Sequence, residues 1–163
     1  MSTTENLKTA FGGESQANRK YTAFARQADE EGYRQVAKLF RATAEAETVH
    51  ALNHLRALGE VKSTAENLQT AVNGETYEFE DMYPGFIAEA EDEYSRDAVQ
   101  SFKYANSVEQ IHARLYQKAL DALEAPEEVV YHVCQTCGNT VEGDAPDVCP
   151  ICGSPRAKFK LVN

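Results

Sequence analysis

Phe40-Arg41-Ala42-Thr43-Ala44-Glu45-Ala46-Glu47-Thr48-Val49-His50-Ala51-Leu52-Asn53-His54 is the stretch that decides the fold. Its Ala, Leu, Glu and Arg content is helix-forming. Wound into a helix, Phe40, Thr43, Glu47, His50 and His54 fall on one face, where a bundle helix presents apolar side chains to its core. Glu47 and His50 interrupt that face with a carboxylate and an imidazole on adjacent turns. The pattern returns at Phe102, Ala105, Glu109, His112 and Tyr116, with Glu109 standing 62 residues after Glu47 (109 − 47).

Working outward, the periodicity predicts four helices before residue 125. The first runs from about Thr4 to Glu31 and stops at Gly32; the second runs from about Tyr33 to Leu58 and stops at Gly59. Ser63-Thr64-Ala65-Glu66 reads as a capping box opening a third helix toward Glu93, which Pro84-Gly85 should kink or interrupt. The fourth spans about Ser95 to Leu123. The first helix offers the face Leu7, Phe11, Glu14, Tyr21, Ala28, and the third offers Leu68, Ala71, Glu75, Glu78, Met82. Glu14 and Glu75 lie 61 residues apart (75 − 14), so the bundle reads as one helix pair used twice.

Glu thus replaces Leu on all four inner faces. Unpaired buried carboxylates cost several kcal/mol each, so they call for a compensating charge between the helices. One Glu from each of two helices, with Glu-x-x-His from each of the others, is the ligand set of the di-iron carboxylate bundles. Oxygen donors with two imidazoles suit iron or manganese. Glu78 is one carboxylate beyond the minimum set.

The texture changes after Leu123. Four of the five prolines and all four cysteines fall there, and the domain boundary is placed at Ala125-Pro126, dividing the chain into 1–125 and 126–163. Cys134-Gln135-Thr136-Cys137-Gly138 and Cys149-Pro150-Ile151-Cys152-Gly153 are matching knuckles of a tetrathiolate metal site. The spacing fits zinc or iron. Tyr131 and Phe159 are the expected mini-core around it, and His132 reads as a surface residue near it. His54 reads as an ordinary packed histidine, Met82 as core filling, and Glu89 to Glu93 as a solvated face.

Together these residues resemble the rubrerythrin family over essentially the whole chain. The resemblance rests on Gly13-Glu14-Ser15-Gln16-Ala17, the two Glu-x-x-His motifs, Gly74-Glu75 to Glu78 with Met82-Tyr83-Pro84, and the cysteine pairs. It implies an all-α, ferritin-like four-helix bundle followed by a small, β-rich, rubredoxin-like domain. It implies two irons on Glu14, Glu47, Glu75, Glu78, Glu109 and His112, with His50 taking over from Glu78 on reduction. A third iron falls on Cys134, Cys137, Cys149 and Cys152, and Tyr21 and Tyr83 match tyrosines lining the site. The activity implied is reduction of hydrogen peroxide to water, with electrons from rubredoxin or an NAD(P)H-dependent reductase. An iron-oxidising or iron-handling protein, or a metal-binding module with a zinc tail, are the alternatives.

In a ferritin-like bundle the second and third helices run parallel, and their connection must travel on the order of 30 to 40 Å. Gly59 to Lys62 reaches at most roughly 18 Å. The chain resembles short-loop members whose homodimers exchange helix pairs, so that Glu14, Glu47 and His50 meet Glu75, Glu78, Glu109 and His112 of a second chain.

Composition limits the other possibilities. The 163 residues carry 26 Asp and Glu against 16 Lys and Arg, a formal charge of −10. That balance argues against nucleic acid, whose affinity comes from Lys and Arg on phosphate. No window nears the roughly 18 apolar residues of a membrane span. Met1 to Phe11 lacks the basic and apolar regions of a secretion signal, so a cytoplasmic location is expected.

Overall fold

The computed structural model describes residues 2–162. The chain divides into two compact units, the first up to Lys62 and the second from Ser63 on.

The first unit is a hairpin of α1 (Thr3–Glu30) and α2 (Arg34–Ala57). Ser2 caps α1 in a capping box with Glu5, and Gly32 turns the chain at φ +85°, a left-handed conformation glycine adopts without strain. Alanines form the seam: Ala25, Ala28, Ala37, Ala44 and Ala51 are all buried. Such small side chains let the helices approach closely, and one polar residue is built in among them. Asn18, 8% exposed, donates from Nδ2 to the Ala44 carbonyl at 2.6 Å and to Thr48 Oγ1 at 2.7 Å. Its Oδ1 accepts from Arg19 Nε at 2.7 Å.

The second unit opens with α3 (Thr64–Tyr77), and the Ser63–Glu66 capping box is present as expected. The third helix is not continuous to Glu93 with a kink at Pro84-Gly85. It passes into a π-helical segment, Glu78–Met82, and resumes as α4 (Tyr83–Asp92) with Pro84 in its first turn. Proline lacks an N–H and is tolerated there, so the irregular turn lies upstream of it. Then α5 (Arg96–Asp121) packs antiparallel to α3 and α4 and ends before Pro126, with Ala122 as its C-cap.

A three-stranded antiparallel sheet of order β2-β1-β3 follows, made of β1 (Tyr131–Cys134), β2 (Thr140–Glu142) and β3 (Phe159–Val162). Its buried residues are Cys134, Cys149, Asn139 and Ala145; Tyr131 and Phe159, expected as the mini-core, are only half-buried. The small sheet therefore closes around its sulfurs rather than around aromatic rings.

The two helical parts repeat one another in detail. Tyr21, Phe24 and Phe40 form a ring cluster with centroids 6.4, 6.1 and 5.6 Å apart. Tyr83, Phe86 and Phe102, each 62 residues later, do the same at 6.2, 6.1 and 5.6 Å. Even the turn is copied: Tyr94 takes φ +56° where the first hairpin has Gly32, and is 91% exposed.

Candidate metal centres

In the first unit, donor atoms of Glu14, Glu47 and His50 lie within 4.8 Å of one another. Glu14 comes from α1 and the other two from adjacent turns of α2. Glu47 Oε2 is 2.8 Å from His50 Nδ1. The carboxylate is largely covered, 19% exposed, whereas the imidazole is 55% exposed.

The second unit repeats this with Glu75, Glu109 and His112, again within 4.8 Å. His112 Nδ1 lies 2.7 Å from Glu109 Oε2 and 3.8 Å from Glu75 Oε2. Burial, then the Glu109 charge, pushes the Glu75 carboxyl above the usual carboxylate range, partly offset by His112. Glu78 opens the π segment and stands outside that triad. Its carboxyl is also raised, first by burial and then by Glu75. Tyr83 faces the same group: burial, then Glu78, Glu109 and Glu75, push its phenol up, so it stays a hydrogen-bond donor.

The π segment explains a one-residue mismatch between the halves. Glu14 and Glu75 are 61 apart, whereas Tyr21 and Tyr83 are 62 apart, so one extra residue lies between Glu75 and Tyr83. A π turn accommodates one such residue within a helix, and such turns gather at functional sites. The extra residue puts a second carboxylate, Glu78, near Glu75 and His112; the first hairpin has no such turn between Glu14 and Tyr21.

In the sheet domain the four cysteine sulfurs converge. Cys134 and Cys152 sulfurs are 3.7 Å apart, and Cys137 and Cys149 sulfurs 3.6 Å apart. A tetrahedral ion with bonds of about 2.3 Å to sulfur needs an edge of about 3.8 Å, so the cage has the right size. The twin turns are backbone copies: Gly138 N–H donates to the Cys134 carbonyl and Gly153 N–H to the Cys149 carbonyl, both at 2.9 Å. Gly138 and Gly153 hold φ +83° and +74°, which the tight turns require.

Burial pushes Cys137 up; at Cys152 burial acts the same way, but hydrogen bonds with Ser154 and the neighbouring thiols outweigh it and draw the thiol down to about 6. A divalent ion would hold all four as thiolates. Sequence reading passed over Asn139, 1% exposed, which donates from Nδ2 to Cys149 Sγ at 3.7 Å. His132, read as a surface residue near this site, is half-buried with Nδ1 2.7 Å from the Gly143 carbonyl.

Both donor sets therefore fit the metals their chemistry suggests: carboxylate with imidazole for iron in the helices, and four thiolates in the knuckles. Among the described residues, no helix is long and apolar enough to cross a membrane.

Comparison with known proteins agrees with this. Residues 5–120 match the rubrerythrin family and residues 132–160 match the rubredoxin-like domain of rubrerythrin. Nigerythrin of Nitratidesulfovibrio vulgaris is 40% identical over 97% of this chain and 85% of its own. The rubrerythrin of Porphyromonas gingivalis is 37% identical over 97% and 88%. A solved structure of fully reduced, all-ferrous nigerythrin superposes with a TM-score of 0.61 at 39% identity, covering 99% of this chain and 87% of that one. Such relatives, with the donor sets above, give the cofactors as two irons and one iron, and the class as a di-iron, rubredoxin-type oxidoreductase of oxidative stress. With both parts of its length matched in order, the chain belongs to the rubrerythrin family.

Proposed function

We propose that the protein is a peroxidase, reducing hydrogen peroxide to water (H2O2 + 2e⁻ + 2H⁺ → 2H2O). The observation that carries this reading is the presence in one chain of a carboxylate–imidazole set for two irons and a thiolate set for one. Iron held by the helical carboxylates and imidazoles would supply the two electrons this reaction consumes, and iron held by the four thiolates would supply single-electron replacements. Glu14, Glu47, Glu75, Glu78, Glu109, His50 and His112 are the residues that would hold the two helical irons, with Glu78 and His50 as alternatives for one place. Cys134, Cys137, Cys149 and Cys152 are the ligands of the third.

Two tyrosines beside the ligands are proposed to serve as hydrogen-bond donors. Tyr83, held protonated by burial and by the charges of Glu78, Glu109 and Glu75, keeps an O–H to offer a peroxide oxygen; Tyr21 is proposed for the matching part in the other half.

Electrons are proposed to arrive from rubredoxin or an NAD(P)H-dependent reductase, in the cytoplasm, where four neighbouring thiols stay reduced. The functional domains are proposed as 1–125 and 126–163. The working form is proposed as a homodimer in which α1 and α2 of one chain complete the bundle of the other. Two features support that exchange. The first hairpin has an alanine seam too slight to stand alone, and its α2 exposes Val36, Leu39, Val49 and Leu52. Each unit also carries only half of the four-helix ligand set.

Peroxide and dioxygen offered separately to the fully reduced protein test the activity. Stopped-flow absorbance is expected to show oxidation by peroxide at least about 10-fold faster at equal concentration, a barrier difference of about 1.4 kcal/mol. Faster reaction with dioxygen, together with iron accumulation, points instead to an iron-oxidising role.

A further inference from the structure

His50 and His112 hold equivalent places in the two Glu-x-x-His motifs, but their surroundings differ. Both present Nδ1 to the carboxylate of their own motif. His50 is exposed, and its Nε2 has no hydrogen-bond partner among the described residues. His112 Nε2 instead lies 2.9 Å from Thr140 Oγ1, at the start of β2 and 28 residues further along the chain.

The direction of that bond follows from counting protons. The Thr140 hydroxyl has one proton, and the Gly138 carbonyl, 3.1 Å from Oγ1, accepts it. Thr140 can then only accept from His112, so Nε2 carries a proton and Nδ1 is the nitrogen left for a cation beside Glu75 and Glu109. The contact is set by the packing of the knuckle on α5. Val108, one turn before His112, is 2% exposed, and its Cγ1 would lie 3.8 Å from a Cβ on Gly138.

We propose that Thr140 is a positioning residue for the helical two-iron site. Its hydroxyl fixes the tautomer and ring orientation of His112 and thereby makes the thiolate domain part of the support for one of the two irons. Gly138 directly follows Cys137 and bonds back to Cys134, so the same hydroxyl ties the two metal sites together within one chain. His112 is thus a fixed ligand and His50 a free one, although their motifs are copies. The difference lies in what stands behind each ring. The inference rests on the two-iron site and not on the peroxidase reading.

The test uses full-length, iron-loaded protein without peroxide, so that its failure is separate from failure of that reading. Thr140→Val, Thr140→Ala and Thr140→Ser are compared for release of helical-site iron to a ferrous chelator under anaerobic conditions. Loss of an outer hydrogen-bond partner of a metal-bound histidine costs about 10- to 100-fold in metal affinity or activity, so the Val and Ala variants should release that iron at least about 10-fold faster. Thr140→Ser, which keeps the hydroxyl, should match the wild type. The red absorption of the ferric tetrathiolate, read on a separate oxidised sample of each, should persist in all three. Wild-type iron retention in the Val or Ala variant overturns the proposal. So does loss of the tetrathiolate colour, because the effect would then belong to the whole domain and not to one hydroxyl.

Discussion

Replacing Cys134 by serine is expected to abolish NAD(P)H-driven peroxide turnover while leaving a single oxidation of the reduced protein intact. Cys134 is 1% exposed, its sulfur is 3.7 Å from that of Cys152, and its backbone anchors the first knuckle through Gly138 and Asn139. Serine removes a thiolate from the cage and leaves a harder, far less acidic oxygen donor that does not reproduce the tetrathiolate site. Removing a ligand costs more than the roughly 10- to 100-fold typical of outer-shell losses, so turnover should fall below about one-hundredth of wild type. Glu14, Glu47, Glu75 and Glu109 lie on the helices and keep their places, so pre-reduced protein still consumes peroxide once, more slowly as the hold on His112 loosens. Wild-type steady-state turnover by Cys134→Ser would show that electrons bypass the thiolate iron.

The second large effect is a rescue. Glu47→Ala and Glu109→Ala each remove a carboxylate that lies within 2.8 Å of its motif's histidine, and each variant alone is expected to be inactive. Co-expressed with different tags and purified as the mixed dimer, the pair should recover about half of wild-type activity if helices are exchanged. One site then takes α1 and α2 from the Glu109→Ala chain and α3 to α5 from the Glu47→Ala chain, and is whole. The other carries both lesions. In a dimer without exchange, every site carries one lesion and nothing is recovered, so an inactive mixed dimer contradicts the exchange.

The features legible in the sequence are those in which partners lie one or two turns apart. The Ser63–Glu66 capping box, the stop at Gly32 and the two Glu-x-x-His pairs all act over three or four residues, and the structure has each of them. Clustering of Glu14 with Glu47 and of Glu75 with Glu109 followed from the repeat. The π segment was also present in the sequence, as the difference between 61 and 62, but the proline at 84 drew attention downstream of it. What could not be read are polar residues whose partners are remote along the chain. Asn18 bonds across 26 and 30 residues, and Thr140 reaches His112 across 28. No local pattern marks such pairs; only the packing of α1 on α2, or of the knuckle on α5, brings them together. Tyr131 and Phe159 were misjudged for a related reason, since apolar bulk was expected at the centre of a domain that is built around its sulfurs.

The most direct measurement is a peroxide titration of the all-iron, fully reduced protein, followed by its visible absorption without oxygen. Three ferrous ions hold three electrons and each peroxide takes two. The helical site should therefore be oxidised by about one peroxide per chain, and the red colour of the ferric tetrathiolate should then develop over about half an equivalent more. A protein that stays colourless at the thiolate site, or whose helical iron is not oxidised by peroxide, contradicts the account.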